Sequence, residues 1–79
     1  MKVADQYHRF VRWSDDDQLY IGYCPDLYFG GVCHGENDEH VYAELCGIIR
    51  DEVSHRQQRG ETLPKAAVRV MRDVDLMAA

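Results

Sequence analysis

Cys24, Cys33, His34 and His40 are the side chains in this 79-residue chain best suited to hold a zinc ion. Their spacing is not that of a zinc site. No Cys-x-x-Cys pair is present, and three isolated cysteines, Cys24, Cys33 and Cys46, read as small core residues. His8, His34, His40 and His55 are dispersed, and no Ser or Cys stands in a nucleophile motif. Gly30, Gly31 and Gly35 could cradle a phosphate, but neither GxxxxGK[ST] nor GxGxxG is spelled, so they read instead as a bulge or a close backbone approach. Tyr20, Tyr23, Tyr28 and Phe29 could stack on bases, yet no Lys or Arg is interleaved with them, which favours packing or an oligomer seam. The expectation is a protein that is not an enzyme and carries neither metal nor cofactor.

The carboxylates remain. Asp15, Asp16 and Asp17 are consecutive, Asp26 follows a proline, and the net charge is −5 with Lys and Arg scattered along the chain. Such a surface repels phosphate backbones and suits a positively charged protein partner. Asp15, Asp16, Asp17 and Asp26 are therefore the expected partner contacts. Tyr28 and Phe29, apolar beside an exposed corner, are the expected oligomer seam. The odd cysteine count and the lack of a leader-like N-terminus imply a cytoplasmic protein, and no run approaches the roughly 18 apolar residues that span a bilayer.

The elements that hold these residues follow from periodicity. Tyr7 to Trp13, rich in aromatic and β-branched residues, predicts a first strand that stops at the polar cluster Ser14 to Gln18. Leu19 to Cys24 alternates Leu19, Ile21 and Tyr23 against Tyr20, Gly22 and Cys24 and predicts a second, ended by Pro25. A third runs from Phe29 to His34. Val41, Leu45, Ile48, Ile49 and Val53 mark one face of a helix spanning Asp38 to Arg59, with Tyr42 and Cys46 widening the stripe. Asn37 is its expected N-cap and Gly60 its stop. Ala66 to Met71 alternates as a short fourth strand, and residues 73–79 read as a frayed tail. The fold class is α+β: a three-stranded antiparallel meander, one long helix on the sheet, and a fourth strand, in one domain with its core at about residues 5–72. A domain this small buries only about 60% of its unfolded surface, which predicts self-association as a dimer or tetramer.

Three strings in this order carry a resemblance. Trp13 to Leu27 joins a strand, an acidic turn and a second strand to the corner Pro25-Asp26-Leu27. Gly35 and Asn37 open the helix, and Gly60-Glu61-Thr62-Leu63-Pro64 closes it. Over about residues 7–65 the chain resembles the HicB family of antitoxins. Two departures stand out: Tyr28-Phe29 replaces a frequent Pro-Gly after the corner, and His40-Val41 stands where Glu-Ala is usual, removing the return half of a capping box. The resemblance implies a partial RNase H-like fold that binds and masks a small basic toxin, HicA, whose double-stranded-RNA-binding-type fold cleaves messenger RNA. Many members add a DNA-binding module after this domain. The residues following Pro64 are too few for one, so no direct DNA binding is expected of this chain alone.

Two other readings compete. An orphan of the same fold would bind a small molecule or RNA. A metal-dependent RNase H-like nuclease would need carboxylates converging on a metal pair, whereas Tyr7 to Trp13 contains no acid and Asp15 to Asp17 lie at a loop tip.

Overall fold

The computed structural model of the chain describes residues 2–67. A 3-10 helix at Val3–Gln6 leads into β1 (Phe10–Ser14), β2 (Leu19–Tyr23), β3 (Gly31–Gly35) and α1 (Asp38–Gln58). The strands form one antiparallel sheet in the order β1-β2-β3, and α1 packs across one face of it. The α+β class, the meander and the long helix are as the periodicity predicts. Residues 61–67 carry no regular structure, and the expected fourth strand otherwise lies outside the described residues, as does the tail at 73–79.

Pairing of Val11 with Gly22 and of Gly22 with Cys33 assigns the faces. A Cβ on Gly22 would come within 3.2 Å of the Leu45 side chain, so Gly22 and Cys33 look at the helix. Their neighbours Arg12, Ile21 and His34, also in register, look the other way. The alternation of β2 is real, and its core side is the one with the smaller residues. Gly22 lacks a side chain because the helix sits too close for one. The register between β2 and β3 slips between Gly22 and Tyr23, a bulge beside the expected glycines.

Val41, Leu45, Ile49 and Val53 are fully buried at successive i, i+4 positions, and Ile48 packs half-buried beside them. Tyr42 and Cys46 fall at the margin of the stripe. The helix begins as expected: the Asn37 Oδ1 accepts from the His40 N–H at 3.0 Å. It ends in a Schellman arrangement, in which Gly60 at φ 71° turns the chain while the Gly60 and Glu61 amides donate to the Gln57 and Arg56 carbonyls.

The first strand is shorter than predicted. Tyr7, His8 and Arg9 precede it, and Tyr7 is 2% exposed, rooted in the core with its hydroxyl donating to the Pro64 carbonyl. Arg9 donates to the carbonyls of Ala4 and Tyr7 and fastens the 3-10 turn, whose Ala4 is also buried. A tyrosine just ahead of Phe10, Val11 and Trp13 looks like a strand residue in sequence; here its ring belongs to the core cluster.

Candidate functional site: an acidic pole around an aromatic notch

The meander brings one end of the molecule together from four places. β1 ends at Ser14 and β2 begins opposite it at Leu19, while Tyr20 pairs with Gly35, the last residue of β3. The turn Asp15 to Gln18, the connection Glu36 to Asn37 and the first turn of α1 therefore share this end. Asp15, Asp16, Asp17, Glu36, Asp38 and Glu39 are all exposed there. Apart from Arg12, the described Lys and Arg residues are elsewhere: Lys2 and Arg50 flank the 3-10 helix, Arg9 closes on it, Arg56 and Arg59 pair with Glu52 and Glu61, and Lys65 follows the helix.

The turn is built to hold its acids out. The Asp17 amide donates to the Ser14 hydroxyl at 3.3 Å, and that hydroxyl donates to Asp17 Oδ2 at 3.0 Å. Gln18 takes the left-handed backbone at φ 55°, and its side-chain amide donates to the Asp15 carbonyl at 2.7 Å. That contact supports a conformation uncommon for a residue with a Cβ.

Beside the acids, Trp13, Tyr20 and Tyr42 line a notch of about 420 Å³ with Val11, Arg12, Asp38 and Glu39. Trp13 and Tyr20 meet edge to face, with centroids 5.1 Å apart and planes at 69°. The Trp13 indole N–H donates to Asp15 Oδ1 at 3.3 Å and ties the ring to the acidic turn. Trp13 is 45% exposed and Tyr42 46%. Neither Trp13 nor Tyr42 stands out in sequence as a site residue. The signal that could have found them is register: a four-residue turn between Ser14 and Leu19 forces Trp13 opposite Tyr20.

Of the contacts expected from charge, Asp15, Asp16 and Asp17 share this pole and Asp26 does not. Asp26 lies in the turn after β2, half-buried at the other end, with Oδ1 accepting from the Ala67 N–H at 3.2 Å and Oδ2 buried without a protein partner among the described residues. Tyr28 and Phe29 also lie in the β2–β3 connection. Tyr28 is half-buried against the core, which raises its phenol pKa, while Phe29, at 108% of its reference exposure, projects fully into solvent.

Cys24 and Cys33 are buried, and loss of solvent pushes both thiols above their ordinary range. His34 and His40 are exposed, and among the described residues no three His, Cys, Asp or Glu side chains are placed to share a metal ion. No described helix is long and apolar enough to cross a membrane.

The second face of the sheet carries its own row. Phe10 stacks on Tyr23 at 5.0 Å, His8 lies 5.6 Å from Phe10, and the Arg12 guanidinium stands 6.0 Å from the Tyr23 ring centre. Leu19, Ile21, Val32 and His34 line a shallow depression of about 410 Å³ on that face, and no described element covers it. Neither family models, curated proteins nor solved structures yield a match to this chain.

Proposed function

We propose that this chain is an antitoxin-type binding protein that neutralises a small basic, messenger-RNA-cleaving toxin of the HicA kind by direct association. The observation that carries the reading is the segregation of charge: exposed carboxylates from the β1–β2 turn and the start of α1 occupy one pole, and the described Lys and Arg residues other than Arg12 lie away from it. A partner with a nucleic-acid-binding surface is positively charged, and a concentrated negative pole attracts it, orients it and occupies the site where RNA would lie. The strand-turn-strand, corner and helix-end strings of the HicB resemblance support the same partner class. The uncovered sheet face, with Phe10, Ile21 and Tyr23, serves in this reading as the seam of a homo-oligomer, and the exposed Phe29 of the β2–β3 connection is a further contact.

The test is co-expression with a small basic toxin of the HicA kind, followed by purification and an RNA-cleavage assay. A stoichiometric complex with cleavage suppressed is expected, and reversal of Asp15, Asp16 and Asp17 to Lys weakens it by about tenfold or more at low salt. Absence of a complex sinks the reading; unchanged affinity in the triple variant removes the turn from the contact.

One observation favours an RNA-binding module instead. Phe10, Tyr23 and Arg12 together on an open sheet face form a surface on which unpaired bases can stack. Titration with a short oligouridylate separates the two readings: saturable binding that Tyr23→Ala abolishes supports the module.

A further inference from the structure

The notch at the acidic pole has a composition that sets it apart from an ordinary gap between helix and sheet. It is lined by three aromatic rings, by Val11 and Arg12 of β1, and by two exposed carboxylates, Asp38 and Glu39. Trp13, in edge-to-face contact with Tyr20, is 45% exposed and keeps π surface in solvent, while Tyr20 is half-buried against the core behind it. Tyr42 adds a third ring from α1, about half in solvent.

Aromatic faces attract cations through their quadrupole, and carboxylates beside them add direct attraction. The positive end of the helix axis opposes this. It is largely answered: Asn37 accepts from His40 N–H, Asp38 Oδ1 accepts from the Glu39 N–H at 3.0 Å, and Glu39 remains as free charge. The chain's own Arg12 borders the notch but does not fill it, because its guanidinium stands over Tyr23 on the opposite face of the sheet.

We propose that Trp13, Tyr20 and Tyr42 form a receptor for one arginine side chain of a basic protein partner, with Asp38 and Glu39 as its counter-charges. Arginine fits better than lysine because a planar, weakly hydrated guanidinium stacks on rings and donates sideways to carboxylates at once. The hydrogen bond from Trp13 to Asp15 links this receptor to the acidic turn, so one partner surface engages both. The partner's identity rests on the antitoxin reading; the cation preference of the notch does not.

Trp13 is the sole tryptophan, so its emission reports on the notch directly. The full chain is titrated with acetyl-Gly-Arg-Gly-amide and with the same peptide carrying neutral citrulline. Saturable change at about fivefold tighter affinity for the arginine peptide is expected, weakened about threefold by Tyr42→Ala and by Glu39→Gln, both at exposed positions that leave the core intact. Equal response to the two peptides, or an arginine response unaltered in both variants, overturns the receptor. The two proposals fail separately: a chain that takes the arginine peptide but binds no toxin defeats the antitoxin reading, and toxin affinity indifferent to Tyr42→Ala defeats the receptor.

Discussion

Two glycines show how far one side chain's surroundings decide its effect. Gly22 faces α1, where an added Cβ would stand 3.0 Å from the Cys33 sulfur and 3.2 Å from Leu45 Cδ2. Gly22→Ala is expected to cost about 1–3 kcal/mol through overpacking. Gly47 sits within α1 with nothing near its Cβ position, and Gly47→Ala is expected to gain up to about 1 kcal/mol of helix propensity. Urea midpoints of the two variants should move in opposite directions. The buried thiols set the alkaline limit. Cys24 and Cys33 ionise less readily when folded than at their ordinary value of 9.0, because burial disfavours the thiolate, and Tyr28 likewise sits above 10.0. A folded pKa above the unfolded one means that the unfolded chain loses its proton first. Stability from these groups is intact below pH about 9 and falls as pH rises through the folded values. Denaturation midpoints at pH 8 and pH 10 check this; a flat profile contradicts it.

At the scale of elements, α1 was the most legible, because Val41, Leu45, Ile49 and Val53 are spaced so that only a helix can bury them together. Its cap can be weighed. Asn37→Ala removes the acceptor for the His40 amide and is expected to lower stability by about 1 kcal/mol, read as a shift in urea midpoint. His40→Glu restores the missing half of the capping box and should raise it by a few tenths of a kcal/mol. The start of β1 was less legible for a physical reason. Tyr7 is held by a hydroxyl bond to Pro64, far away in sequence, and by Arg9 closing on Ala4 and Tyr7; local propensity contains neither. The acids of Asp15 to Asp17 were visible in sequence, but their meeting with Glu36, Asp38 and Glu39 depends on strand pairing. Asp26 looked equivalent by charge alone and is placed at the other end by the same pairing.

At the scale of the whole molecule, among the described residues one α-helix covers one sheet face, and the other face presents Phe10, Ile21 and Tyr23 without a described covering layer. Such a face suits pairing with its equivalent on a second copy. Ile21→Glu, a charge in the centre of that face, should shift the sedimenting species toward monomer without unfolding it; a wild-type protein monomeric at high micromolar concentration contradicts the seam. The polarised charge adds a kinetic expectation. Association with a basic partner should slow as salt rises, with dissociation changed far less.

The bond from the Tyr7 hydroxyl to the Pro64 carbonyl fastens the opening turn of the chain to the segment leaving the helix. This bond joins two segments that are otherwise held separately, the 3-10 turn by Arg9 and Ala67 by Asp26. Local opening at either should release the other, so amides of the 3-10 turn and of residues 61–67 ought to exchange with solvent as a single unit. A Tyr7→Phe substitution would uncouple them while leaving the ring in place.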